Sequence, residues 1–215
     1  MSGIYLHIPF CKQACSYCDF YFVTRTSERE HFVQRLIREI ESFRDTQYIE
    51  ETVETIYFGG GTPSLLAPTQ IQQILDALRE VFEIDAGEIT LEMNPDDVIP
   101  PFLRDLKAAG VNRASIGVQS FQPELLKFMN RAHSSNEALH CLELLSKSQF
   151  KVFTVDLIYG NPRQTTNQLI DDIDQLLQFD PPHVSAYSLT IEPKTQLGKL
   201  VELGRLEPPE DDTVT

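Results

Sequence analysis

The chain has 215 residues, 41% of them hydrophobic, and carries 18 Lys and Arg against 32 Asp and Glu, a formal net charge of −14. That length fits one domain, or one domain plus part of another, around a single sizeable core. The charge argues against broad nucleic-acid binding, and the lack of a long apolar run or a basic, small-residue leader argues against a membrane span or secretion signal.

In chain order, GIYLHI (3–8) predicts a strand. EREHFVQRLIREIESF (28–43) predicts a helix with Phe32, Val33, Leu36, Ile37, Ile40 and Phe43 on one face, capped by Ser27 and Glu30. VETIYF (53–58) is a strand, and TQIQQILDALREVF (69–82) a helix with Ile71, Ile74, Leu75, Leu78 and Phe82 on its apolar side and a Thr69–Gln72 box. EITLEM (88–93) is a strand and PPFLRDLKAAG (100–110) a helix closed by Gly110. RASIGV (113–118) is a strand, followed by helical PELLKFM and by NEALHCLELLSKS, opened by Ser134–Glu137. KVFTVDLI (151–158) is a strand, TNQLIDDIDQLLQF (166–179) a helix and HVSAYSL (183–189) a strand. After residue 190 the pattern fades into one helix and then Pro and acidic residues.

Strands alternating with helices in this way build a parallel sheet with right-handed crossovers. The α/β options are an open doubly wound sheet or a barrel. A complete eight-unit barrel takes about 250 residues, so six units would make an incomplete (β/α)6 barrel. Residues 1–190 are expected to form this domain and 191–215 the start of a truncated C-terminal region.

Polar and glycine-rich segments follow the strands: the cysteine loop, GGGTP (59–63), the ends of LEMNPDD and GVQSFQ, VDLIYGNP and AYSLTIEP. In parallel α/β folds that rim binds ligands. Three of the four cysteines, Cys11, Cys15 and Cys18, are spaced C-x3-C-x2-C. Clustered cysteines in a non-secreted chain point to ligands in a reducing, cytoplasmic compartment. Three thiolates suit a cubane iron–sulfur cluster with one iron left open. The alternatives are zinc held by three cysteines with His7 or His133, or three unligated structural cysteines. Cys141, alone in a helical pattern, reads as a small buried hydrophobe. The glycine run lets a ligand approach the backbone and leaves N–H and C=O groups exposed to it. It is neither a Walker loop nor a dinucleotide fingerprint.

CKQACSYC resembles the cysteine signature of radical S-adenosylmethionine enzymes, and GGGTP resembles their methionine-binding motif. YLHIPFCKQACSYCDF, YFGGGTPSLL, LEMNPDD, RASIGVQSF, NRAH, VDLIYGNP and SAYSLTIEP together resemble the coproporphyrinogen dehydrogenase-like group of that superfamily, over about residues 3 to 205. The resemblance implies a partial barrel of the radical SAM type with a [4Fe–4S] cluster on Cys11, Cys15 and Cys18, whose open iron chelates S-adenosylmethionine. It implies that Gly60, Gly61 and Thr62 hold the methionine end and that Tyr5 lies near the cofactor. It implies further that Tyr17 packs beside the adenine, that Glu92 accepts from a ribose, and that Gln119, Arg131 and Asp156 complete the rim. Ser188 is a lesser candidate. Read singly, Glu92 and Asp156 fit capping or salt-bridge carboxylates, Arg131 a solvated helix-end charge and Tyr5 a core residue.

Decarboxylating members of the group carry a further cysteine two residues after the third cluster cysteine; here that position is Phe20. The departure resembles the group's heme-chaperone branch, which implies heme binding and transfer to hemoproteins, an electron donor such as flavodoxin or ferredoxin, and a homodimer. The competing expectation is oxidative decarboxylation of a porphyrinogen propionate.

Overall fold

The computed structural model describes residues 2–148, 150 and 152–208. Lys151, the expected first residue of the fifth strand, and residues 209–215 of the expected C-terminal region lie outside the described residues.

Six strands, β1 (Ser2–Ile8), β2 (Val53–Gly60), β3 (Ile84–Met93), β4 (Arg113–Gln119), β5 (Val152–Tyr159) and β6 (His183–Ser188), form one sheet in the order β1-β2-β3-β4-β5-β6. Every neighbouring pair is parallel. The helices are α1 (Arg29–Glu41), α2 (Pro68–Val81), α3 (Pro100–Ala109), α4 (Pro123–Phe128), α5 (Ser135–Lys147), α6 (Thr166–Leu177) and α7 (Gln196–Glu202). Among the described residues β1 and β6 each have one neighbour, so the six strands form an incomplete (β/α)6 barrel that hydrogen bonds do not close.

Alternation along the strands sorts the side chains. Leu6 and Ile8, Ile56 and Phe58, Leu91 and Met93, Ala114, Ile116 and Val118, and Val155 and Leu157 belong to one buried cluster with the helices. Ile71, Ile74, Leu75 and Leu78 are the buried stripe of α2, each contributing about 2 kcal/mol by burial. The alternate residues Glu92, Ser115, Gly117, Gln119 and Asp156 lie on the opposite face. That face is polar because it lines a cleft rather than a core.

Helix starts differ from expectation in two places. Thr26–Glu28 is a 3-10 turn and α1 begins at Arg29 without a side-chain cap, so Ser27 and Glu30 form no box. Glu30 instead accepts from Gln34 at 3.2 Å and Gln70 at 3.1 Å. Pro68, with φ preset for the first helical position, starts α2 one residue before Thr69. Gln70 Oε1 then accepts from Ala67 N at 2.9 Å, while Gln72 turns to Asp76. The Ser134–Glu137 box forms as expected: Ser134 N donates to Glu137 at 2.7 Å and Glu137 N to Ser134 Oγ at 3.3 Å. Gly110 closes α3 at φ 108°. β3 starts at Ile84, four residues before the expected strand at 88.

α7 packs back onto the barrel. Leu197 is buried with Leu125, Leu126, Ile158 and Leu189, and its N–H donates to Ser16 O at 3.0 Å.

Candidate functional site

The loop after β1 is closed at its neck and pinned at its tip. Phe10 bridges Val23, Cys11 N donates to Val23 O at 3.0 Å, and Val23 N donates to Pro9 O at 2.7 Å. At the tip, Ser16 N and Oγ donate to Met129 O and Phe128 O at 3.0 and 2.9 Å. Asn130 Nδ2 donates to Ala14 O at 2.6 Å, and Lys12 reaches Asp96 and Asp97 at 2.5 Å each. Lys12 and its two carboxylates escaped the sequence reading, since nothing local pairs residues so far apart.

The pinned loop presents Cys11, Cys15 and Cys18, all half-buried, to one open cleft of about 630 Å³. Burial pushes the Cys11 and Cys18 thiols up, and the neighbouring cysteines add to it. A soft metal displaces those protons on binding. Among the described residues no three His, Cys, Asp or Glu gather around a single metal ion. Each histidine considered for zinc spends at least one ring nitrogen elsewhere. His7 Nε2 bonds Tyr21 O at 2.9 Å and its Nδ1 lies 3.3 Å from Tyr5 OH. His133 is buried with Nε2 on Val118 O at 3.0 Å, and burial with the nearby Arg131 charge lowers its pKa to about 4.

The glycine run is sewn to the start of the cysteine loop. Gly61 N donates to Ile8 O at 2.8 Å and Thr62 N to Phe10 O at 2.7 Å. Gly60 N donates to Glu92 Oε2 at 3.1 Å. These three N–H groups are therefore taken by the protein, which corrects the expectation that the run offers them to a ligand. What it gives the cleft is room. Gly60 sits at φ 106°, and a Cβ there would lie 2.5 Å from the His7 ring. Thr62 Oγ1 points to Cys11 Sγ at 3.8 Å.

The remaining candidates surround the same space. Tyr17, Glu92, Gln119, Arg131, Asp156 and Ser188 line the cleft with the cysteines and Gly60, Gly61 and Thr62. Tyr5 does not: it is 57% exposed and stacks on Tyr57, ring centroids 6.0 Å apart. Tyr17 is built into the wall against the Leu125 cluster, and burial raises its phenol pKa. Glu92 accepts from Tyr57 OH at 2.8 Å, and Asp156 from Ser115 at 3.2 Å. Burial raises both carboxyls above their ordinary values. Arg131 is not a solvated helix-end charge. Its Nη2 donates to Asn94 Oδ1 and Gly117 O at 2.8 Å each, and its Nη1 to Cys15 Sγ at 3.3 Å and Tyr17 OH at 3.4 Å. Asn94 also donates to Thr62 Oγ1 at 3.4 Å, so it ties the arginine to the glycine run. In sequence Asn94 carries no signal beyond its place just after a strand.

The donor set fits an iron–sulfur cluster with an adjacent small-molecule ligand. Three thiols line the cleft beside a side-chain-free wall. Arg131 Nε and Gln119 Oε1 are buried there without a partner among the described residues. Cleft size falls in the range of small-molecule sites, about 300–1,000 Å³.

Comparison with known proteins agrees. The sequence profile of the Radical SAM superfamily matches residues 5–176. A curated relative, the heme chaperone HemW of Escherichia coli (strain K12), is 42% identical over 200 residues, 91% of this chain and 52% of its own. HemW of Bacillus subtilis (strain 168) is 37% identical over 98% of this chain and 56% of its own. The chain thus spans about half the length of the curated relatives it matches. Among solved structures, coproporphyrinogen III oxidase (HemN) of Escherichia coli, a radical SAM enzyme, superposes over 99% of this chain and 49% of its own, with TM-score 0.84 and 27% identity. From the profile match, the cysteine loop and the partial barrel together, the chain belongs to the radical SAM superfamily.

Proposed function

We propose that this chain is the cluster-bearing part of a HemW-like heme chaperone, holding a [4Fe–4S] cluster and S-adenosylmethionine in the cleft and binding heme for transfer to hemoproteins. Cys11, Cys15 and Cys18 would hold the cluster. When bound, it supplies the electron for reductive cleavage of S-adenosylmethionine. The protein's own part is to bind and orient. Gly60 and Gly61 leave space for the methionine end, with Thr62 beside it. Glu92 keeps acceptor capacity for a ribose while its carboxylate braces Gly60 N. Gln119 and Arg131 offer an unpartnered acceptor and an unpartnered donor, and Asp156 completes the wall. Tyr17 would pack beside the adenine, and Tyr5 stays outside the cleft wall.

Phe20 carries the chaperone reading over the decarboxylase one. It is 70% exposed at the cleft, with Tyr21 71% exposed beside it. By the resemblance, decarboxylating relatives have a cysteine at that position. An apolar aromatic edge suits a flat tetrapyrrole and supplies no thiol. The alternative, porphyrinogen decarboxylation, draws support from the similarity to HemN. A flavodoxin- or ferredoxin-type electron donor, acceptor hemoproteins, a homodimer and a cytoplasmic setting belong to the chaperone reading. No helix among the described residues is long and apolar enough to cross a membrane.

The test is anaerobic reconstitution with iron and sulfide, then the reduced-state EPR spectrum with and without S-adenosylmethionine. The expected result is about four irons per chain and a spectrum altered by S-adenosylmethionine. Bound zinc, or a spectrum indifferent to it, overturns the cofactor assignment. Heme titration, expected to saturate, and product analysis with coproporphyrinogen, expected to show no decarboxylation, then separate chaperone from enzyme.

A further inference from the structure

Gln119 ends β4 in a conformation few side chains adopt. Its φ is 67°, in the left-handed region, and the ladder to β5 shifts register between Ile116 and Gln119. Gln119 lines the cleft, and its Oε1 is buried beneath the wall without a partner among the described residues. A strained residue with an unsatisfied buried acceptor persists only where its surroundings enforce it.

Across the kink Ser120 N donates to Val118 O at 2.8 Å, and the residues that follow are held from another element. Asp172, on the inner face of α6, is 1% exposed. Its carboxylate accepts from Ser120 Oγ at 2.7 Å, Phe121 N at 2.9 Å and Gln122 Nε2 at 3.2 Å. All three donors belong to the residues directly after Gln119. Ser120 Oγ in turn accepts from Gln122 N at 3.0 Å, so side chain and backbone close one network. No cation is paired with Asp172 among the ion pairs of the described residues. A buried carboxylate answered only by neutral donors is costly, and its donors all serve one short segment. In sequence Asp172 is one polar position of a helical pattern, and its partners lie about fifty residues earlier.

We infer that Asp172 is a positioning residue for the ligand site: it locks residues 120–122 so that Gln119 is held left-handed with its amide presented to the bound small molecule. The inference rests on the proposed S-adenosylmethionine site and adds to it a residue that does not line the cleft.

The test uses the reconstituted 215-residue chain and S-adenosylmethionine itself, with binding followed by the change in the reduced-cluster EPR spectrum. Gln119→Ala is expected to weaken binding about fivefold to tenfold, the loss of one neutral hydrogen bond or slightly more. Asp172→Asn is expected to weaken it to a similar degree with iron content unchanged. The double variant should be no weaker than Gln119→Ala alone, because both act through one amide. Ser120→Ala, a milder change, should move binding in the same direction and keeps the test usable if Asp172→Asn folds poorly. In the apoprotein, the backbone chemical shifts of Gln119 should report the left-handed conformation and lose it in Asp172→Asn. Wild-type binding by Asp172→Asn and Ser120→Ala, additive losses in the double variant, or unchanged Gln119 shifts would overturn the positioning role. Failure of the wild-type chain to bind S-adenosylmethionine would instead overturn the site on which it rests, while the shifts still report whether Asp172 holds the turn.

Discussion

Arg131 donates a hydrogen bond to the sulfur of Cys15 at 3.3 Å, across more than a hundred residues of sequence. The same guanidinium holds Asn94 and Gly117 O. It therefore joins the cysteine loop to the ends of β3 and β4. Such a planar fork cannot be reproduced by an ammonium. Arg131→Met would leave Asn94 Oδ1 and Gly117 O without this donor, with an expected cost of about 2–4 kcal/mol. Arg131→Lys should recover part of that, because the charge returns without the geometry. Urea denaturation of the apoprotein measures both. A Met variant as stable as the parent would show that the network contributes nothing to stability.

The glycine run makes a sharper prediction, because Gly60 and Gly61 differ in kind. At Gly60 an alanine is strained by its positive φ and meets the His7 ring, and a cost of about 1–3 kcal/mol is expected from the backbone alone. At Gly61 the Cβ would lie 2.7 Å from Phe10 O and 2.8 Å from Ile8 O. Backbone oxygens cannot swing aside, so the start of the cysteine loop must move, and Gly61→Ala should lose iron on reconstitution. Gly87 is the control: nothing lies within 4 Å of its would-be Cβ, and Gly87→Ala should stay within about 0.5 kcal/mol of the parent. Thermal unfolding and iron analysis of the three variants decide the point. Equal behaviour of all three would mean that the run is only a turn.

Cysteine chemistry separates the four thiols. Cys11, Cys15 and Cys18 are half-buried along an open cleft, whereas Cys141 is 1% exposed, with burial holding its thiol far above the ordinary value. Alkylation needs an accessible thiolate. Iodoacetamide on the native apoprotein should label the three loop cysteines and spare Cys141. Reconstitution with iron and sulfide should protect those three. Mass spectrometry of the peptides reads both results, and labelling of a loop cysteine after reconstitution would remove it from the ligand set.

How far the sequence reached depended on how local each cause was. The strands were legible because Ile56 and Phe58, or Ile116 and Val118, alternate within a few residues toward one buried face. The Ser134–Glu137 cap was legible because both partners sit in one turn. Ser27–Glu30 had the same spelling and failed, because the chain enters α1 through a 3-10 turn that the pattern does not encode. The cysteines and glycines of the cleft were legible as motifs. The residues that set their geometry were not: Asn94 with Thr62 and Arg131, Lys12 with Asp96 and Asp97, and Asp172 with Ser120 all act across the fold. Tyr5 was assigned by motif position alone, and its ring lies outside the cleft wall, against Tyr57.

Two half-buried carboxyls give the apoprotein an unusual pH dependence. Glu92 and Asp156 both titrate above their ordinary values, chiefly because burial disfavours their charge; hydrogen bonds from Tyr57 and Gly60 N, and from Ser115 and Ser185, only partly offset it. In the unfolded chain the same groups titrate near pH 4. Between the unfolded and the folded pKa the native state therefore binds more protons than the unfolded one. Stability then falls as pH rises through that interval, the reverse of a salt-bridged carboxylate. The contribution of these groups is fully present below about pH 4 and is lost by the point where both ionise in the fold. Glu92→Gln and Asp156→Asn remove the titrating proton, so each should flatten the decline and raise the apoprotein's stability at neutral pH. The amide of Glu92→Gln can still accept from Gly60 N, which keeps the comparison close to isosteric. Urea midpoints taken across that pH range test the sign, and an undiminished slope in the double variant would assign it to other groups. A ligand that donates hydrogen bonds to Glu92 favours its charged form. In the reconstituted parent, S-adenosylmethionine should therefore shrink the slope, and it should do so less in Glu92→Gln.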